Sequence, residues 1–143
     1  MTQAPLPSDE AQRLEAMRVL GILDTPPDER FDRLTRLAGR LFNVPVALLS
    51  LVDTDRTWFK SRMGIDEEEV PRDVSFCTHA IDGERVLVVE DAEAHELFHD
   101  NPLVRGGPGF RFYAGRTVRA PNGAPLGTLC MCARHGAQRR DWR

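Results

Sequence analysis

The stretch VPVALLSLVD, Val44 to Asp53, is a nearly unbroken run of apolar residues rich in β-formers. Such a run predicts a strand covered on both faces, because a strand with one wet face alternates between apolar and polar side chains. The turn DTDR and the segment TWFKSRMG, Thr57 to Gly64, extend it into a hairpin. The rest of the chain must then supply cover for two sides of a sheet. At 143 residues and 41% hydrophobic content it is long enough to do so as one domain without a disulfide staple.

Two helices precede the hairpin. Ser8 can cap the first, with Asp9 and Glu10 in its first turn, an apolar stripe of Ala11, Leu14, Met17 and Leu20, and Gly21 as its stop. The second starts at TPPD, where Thr25 is the expected N-cap, Pro26 and Pro27 take the first helical positions and Asp28 closes a capping box. It runs to about Phe42, with Phe31, Leu34, Leu37, Ala38 and Leu41 as its inward face. After the hairpin, the acidic GIDEEEVPRDVS reads as a loop, FCTHAI as a short helical turn, RVLVVED as a strand and AHELF as a short helix. The Gly/Pro-rich NPLVRGGPG reads as a loop. The strands FRFYAGRTVRA and LGTLCMCA flank PNGAP, whose Asn122-Gly123 is a hairpin turn. Runs of antiparallel strands with helices outside them predict an α+β domain.

Charge narrows the function classes. The net charge of −3 excludes a nucleic-acid binder driven by bulk charge. The balance is uneven: residues 101–143 carry eight arginines against one acid, so they hold +7 while residues 1–100 hold −10. Four of those arginines lie in RHGAQRRDWR, a solvated basic tail. No apolar run approaches the roughly 20 residues that span a bilayer, and the N-terminus has no signal-peptide hydrophobic region. Three cysteines, an odd number, fit a reducing compartment, and the expected location is cytoplasmic.

The residues themselves resemble the GAF domain family, in particular the bacterial GAF domains found next to histidine kinase and diguanylate cyclase output domains. The matching stretches are ILDTPPDERFDRLTRLAGRLF, VALLSLVDTDRTWFKSRMG, PRDVSFCTHAI, FHDNPLV, FRFYAG and PNGAPLGTLC, in order from about Ile22 to Cys130. The resemblance implies a central antiparallel β-sheet with helices on one face and a small-molecule pocket under short helices and loops on the other. It divides the chain into a helical lead-in (1–24), a GAF domain (25–134) and a short basic tail (135–143). Family members continue past the position of Cys130 into a long helix that leads to an output domain. The residues MCARHGAQRRDWR carry no such pattern, and no kinase, cyclase or DNA-binding motif is present in the chain.

SFCTHAI, Ser75 to Ile81, holds a cysteine and a histidine two positions apart and poses the main chemical question. A zinc site wants pairs such as C-x₂-C or H-x₃-H, and neither spacing occurs, so no metal site is expected. Bilin-binding members of the resembled family carry an adjacent Cys-His pair. Here Thr78 intervenes, and residues two apart on a helix diverge by about 200°. The free methionine-(R)-sulfoxide reductases of the same family place three cysteines at separations that differ from the 53 and 2 found here. Cys77 near a helix start could still have some thiolate character. The reading these residues support is architectural: Phe76, Cys77 and Ile81 pack a short helix over the sheet, with His79 or Ser75 giving a hydrogen bond at the pocket edge. Cys130 and Cys132 share one face of a strand. Trp58, Phe110, Phe112 and Tyr113 are core or pocket lining, and Asp91 and Asn101 are turn-formers.

The expectation is therefore a sensory or regulatory domain, not an enzyme, that binds a small molecule or a partner and relays the change through its terminal helices. Its pocket candidates are Ser75, Phe76, Cys77, His79, Phe110, Phe112, Tyr113 and Cys130. The ligand stays open among cyclic nucleotide, haem, amino acid and none. A parallel homodimer through residues 8–20 and the second helix is expected from the apolar stripe. The alternatives are a thiol enzyme like the sulfoxide reductases and a ligand-free dimerisation module.

Overall fold

A computed structural model describes residues 9–81, 83 and 85–134. The elements are α1 (Glu10–Leu20), α2 (Glu29–Phe42), β1 (Val46–Val52), β2 (Arg56–Met63), β3 (Glu69–Pro71), α3 (Phe76–Ala80), β4 (Leu87–Val89), α4 (Pro102–Arg105), β5 (Phe112–Arg119) and β6 (Pro125–Ala133), with single 3-10 turns at Arg72–Val74 and Ala92–Ala94. One six-stranded sheet has the order β3-β2-β1-β6-β5-β4, with every pairing antiparallel. This is the expected α+β architecture. Among the described residues no helix is long and apolar enough to cross a membrane.

The unbroken apolar run is β1, and all seven of its residues are buried. Val46, Leu48 and Val52 point to one face, where they join Phe59, Phe76, Tyr113 and Cys130. Leu51 points to the other face, where it meets Met17 of α1, Trp58 and Leu126. The β1–β2 register slips between Leu49 and Ser50, so that Leu49 pairs with Ser61, Ser50 pairs with Phe59, and Lys60 is the extra residue of a bulge. Lys60 and Ser61 consequently both reach the helix face: Lys60 Nζ donates to Thr25 Oγ1 and Pro26 O, and Ser61 Oγ meets Thr35 and Asp32 of α2.

The start of α2 differs from expectation. Asp28 is its N-cap, accepting from the Arg30 amide at 2.9 Å. A residue that precedes proline is driven out of the helical region, which holds Thr25 and Pro26 extended and delays the helix past both prolines. Thr25 instead donates from Oγ1 to Ile22 O at 2.5 Å and accepts from Lys60. The inward face also differs. Thr35, Ala38 and Gly39 are buried, whereas Leu34, Leu37 and Leu41 are 47%, 52% and 62% exposed. The small seam lets the helix press on β2: a Cβ on Gly39 would lie 2.2 Å from the Met63 methyl, so bulkier residues are turned outward.

In α1 the buried positions are Arg13 and Met17, while Ala11 and Leu20 of the expected stripe are exposed. Asp9 stands at the N-cap without a side-chain capping bond, and the proposed cap Ser8 lies outside the described residues, as does the basic tail 135–143. The acidic loop contains a strand, β3, pairing Val70 with Thr57. The Gly/Pro-rich loop contains α4, whose Asn101 cap accepts from the Leu103 amide. The helix expected at AHELF is a 3-10 turn at Ala92–Ala94 followed by turns, with Asp91 capping it as a turn-former.

Candidate functional site

On the sheet face opposite α1 and α2, a cavity of about 60 Å³ lies between the strands and the short helices. Its floor is Leu48, Phe59, Tyr113, Cys130 and Cys132. The antiparallel register explains the grouping: Leu48 sits opposite Cys130 and Tyr113 opposite Cys132, so side chains from β1, β5 and β6 converge on one face. Ser75, Phe76 and Cys77 form one wall, Leu103, Pro108 and Phe110 a second, and Ile65, Glu67 and Val70 the rim.

Six of the eight pocket candidates, Ser75, Phe76, Cys77, Phe110, Tyr113 and Cys130, line this cavity. Phe112 does not. It follows strand alternation to the opposite face and packs with Ala114 and Ala133. His79 lies outside the lining, half-buried and edge-on to the Phe98 ring at 4.9 Å; burial and the nearby His95 push its pKa down. Cys77 and His79 thus point apart, as their helical spacing requires. Trp58 is on the α1 face. Sequence reasoning missed Leu48, Phe59, Ile65, Glu67, Val70, Leu103, Pro108 and Cys132 as lining residues. Alternation from Cys130 would have found Cys132, but the others needed the register.

The lining is almost wholly apolar, and among its described residues Glu67, exposed at the rim, is the one charge. A small polar cluster underlies the floor. Ser50 Oγ and Thr128 Oγ1 are 2.9 Å apart, Tyr113 Oη reaches Thr128 Oγ1 at 3.4 Å and donates to Cys77 Sγ at 3.5 Å, and Cys77 Sγ lies 3.9 Å from Cys130 Sγ. Contact with the Cys130 thiol and burial push the Cys77 thiol up; contact with Cys132 and burial do the same for Cys130; burial raises Tyr113. All three are neutral at physiological pH, against the expectation of thiolate character at Cys77. Among the described residues no three His, Cys, Asp or Glu side chains converge as a metal-binding group.

The wall segment is tied outward. Ser75 caps α3 by accepting from the Cys77 amide, Thr78 Oγ1 donates to Arg72 O, and Asn101 Nδ2 donates to Val74 O, joining the starts of α3 and α4. Arg72 Nη1 donates to Glu10 Oε2 at 2.5 Å and to Asp53 O at 2.9 Å. Glu10 also receives Arg13, whose Nη1 donates to Val52 O at 2.6 Å. Partial burial raises the Glu10 carboxyl, but the hydrogen bonds from Arg72 and Arg13 outweigh it and hold the pKa at about 2. A continuous polar path therefore runs from the cavity wall to α1.

The family model described as the GAF domain matches residues 26–143. A cyclic di-GMP phosphodiesterase from Pseudomonas aeruginosa is 40% identical over 134 residues, which are 94% of this chain and 23% of that protein. The chain thus spans under a quarter of that relative. Among solved structures, a free methionine-R-sulfoxide reductase from Neisseria meningitidis in complex with its substrate is 18% identical, with 99% of this chain and 86% of that one covered and a TM-score of 0.61. A GAF sensor protein from Burkholderia vietnamiensis is 14% identical, covers 94% of this chain and 85% of its own, and has a TM-score of 0.60. At such identities these two show the shared fold.

Proposed function

The chain belongs to the GAF domain family, and on that premise we propose that it is a sensory or regulatory domain that takes a small, largely apolar molecule into its cavity and relays the change through its terminal helices. The observation that carries this reading is the coupling of cavity wall to α1: the segment that supplies Ser75, Phe76 and Cys77 to the wall also supplies Arg72 to Glu10. Ligand pockets are typically some 300–1,000 Å³, so an occupant of ordinary size needs more room than the present cavity of about 60 Å³, and α3 and the 102–110 segment are the walls placed to yield. Displacing α3 moves the Arg72 contact. The chain regulates an output of the kind named in its Pseudomonas relative and does not hydrolyse the dinucleotide itself, since the described lining has no Lys, Arg or His to hold phosphates. It is not a sulfoxide reductase, since burial and contact with a neighbouring thiol raise Cys77 and Cys130 and make both too slow as nucleophiles for turnover; an assay with free methionine-R-sulfoxide is expected to give none. Three unbridged thiols suit a reducing, cytoplasmic setting.

Native mass spectrometry of the purified protein tests the reading. The expected result is a species heavier than the 16.1 kDa chain by one small uncharged or weakly polar molecule that is lost on unfolding. A bare chain in every preparation, under conditions that preserve noncovalent complexes, counts against it.

A homodimer belongs to the same proposal. Leu34, Leu37 and Leu41 of α2, with Val19 and Leu20 of α1, leave apolar side chains on the helix face in solvent. Light scattering at tens of micromolar is expected to give twice 16.1 kDa, and a monomer at that concentration would remove this part.

A further inference from the structure

The sulfurs of Cys77 in the cavity wall and Cys130 in its floor are left without a role by the ligand reading, and they are unusually placed. Cys130 sits on β6, hydrogen-bonded between β1 and β5. Cys77 sits on α3, a helix of five residues. The thiols face each other at 3.9 Å, are both buried and both line the same cavity, and they come from positions 53 residues apart in sequence. We propose that Cys77 and Cys130 form a dithiol modification site that a hydroperoxide closes to a disulfide.

The step balances with hydrogen peroxide as the oxidant. The Cys77 sulfur attacks one peroxide oxygen while its thiol, neutral at rest, passes its proton to the other; the O–O bond breaks and one water leaves, giving a sulfenic acid in a slow stoichiometric step and not a rapid turnover. The Cys130 sulfur then attacks the Cys77 sulfur, the S–O bond breaks, and a second water carries away the oxygen and the thiol proton. Two thiols are oxidised by two electrons and one peroxide is reduced to two waters. The small neutral oxidant suits this site: the cavity has room for a molecule of peroxide size and the described lining has no cation to favour a charged one. Tyr113 Oη already donates to Cys77 Sγ at 3.5 Å and so favours negative charge developing on the attacking sulfur. Forming a bond of about 2.05 Å requires the sulfurs to close by roughly 2 Å. The short α3 can move that far, whereas β6 is held on both sides. The partner of Cys130 is Cys77 and not the neighbouring Cys132, because side chains two residues apart on a strand leave in parallel from backbone positions about 6.6 Å apart, near the outer limit for a bridge.

Purified protein is exposed to hydrogen peroxide, quenched by alkylation and examined by intact mass and non-reducing peptide mapping. The expected result is a loss of about 2 Da and a crosslinked peptide joining Cys77 to Cys130, reversed by dithiothreitol. The Cys132→Ser variant keeps the crosslink, and Cys130→Ser loses it and accumulates oxygen adducts on Cys77. Oxygen adducts on the native protein without the mass loss, a crosslink through Cys132, or no reaction while a denatured sample reacts would each overturn the proposal. The native chain alone decides the matter if a serine variant fails to fold, and the preparation used is one that native mass spectrometry finds without a bound molecule, so that an occupied cavity is not mistaken for an unreactive pair of thiols.

Discussion

The two faces of the sheet are covered by different chemistry. On the helix face the contacts are polar and specific: Arg13 is 1% exposed and donates to Val52 O, Thr35 meets Ser61, Ser61 donates to Asp32 and Lys60 reaches two oxygens of the linker. On the cavity face the cover is apolar and thin, built of helices of five and four residues with open space beneath. Directional hydrogen bonds admit one arrangement, because a shift leaves buried groups unpaired. Apolar contacts are non-directional and tolerate displacement. The molecule thus has one rigid side and one adaptable side, and β1 belongs to both.

The most severe break is in the shared strand. Leu49→Asp puts an unpaired charge beneath α2 and is expected to cost about 3–5 kcal/mol, read as loss of the cooperative transition in urea. A parent-like midpoint would refute the strand assignment. Next comes the polar side: Arg13→Met leaves the Val52 carbonyl without this donor and is expected to cost about 2–3 kcal/mol, more than the Cys77 truncation in the cavity wall.

The ion-pair cluster also gives a pH signature. Glu10 has its pKa lowered from 4.5 to about 2, so its stabilisation is complete above 4.5 and is lost as pH falls toward 2. Thermal melts between those values are expected to drop more steeply for the native chain than for Glu10→Gln; equal slopes would mean that the contact to Arg72 carries no stability. On the cavity side, Cys77→Ala removes one sulfur beside space that already exists and is expected to cost about 1 kcal/mol while ligand retention survives. Smallest is Leu37→Glu on the exposed ridge, within about 0.5 kcal/mol for the monomer, yet enough to halve the mass in light scattering if that ridge is the dimer contact.

What could be read without coordinates follows the same divide. Strand β1, both hairpins and the α+β class were legible because burial on both faces and the Asn-Gly turn leave strong local marks; Gly123 has the positive φ of 89° that its turn requires. Of the seam of α2 Ala38 was, but Thr35 and Gly39 were not, because apolar spacing ranks side chains by hydrophobicity, whereas close approach to β2 selects them for size. For the cavity, Phe112 and Tyr113 are neighbours on one strand and cannot both face it; choosing between them required the pairing of Tyr113 with Cys132. The Glu10–Arg72 contact joins residues 62 apart and leaves no trace in either local pattern.

The sheet ends in two stubs. Both outer strands, β3 and β4, are three residues long, and β3 closes on Pro71. Long, flat outer strands invite other chains to add on by backbone pairing and so to aggregate, and short strands interrupted by proline deny them the length to do so. Open-ended sheet growth is therefore disfavoured at both ends of the sheet, and the dimer proposed above would rest on side-chain recognition by its helices, which can stop at a closed pair.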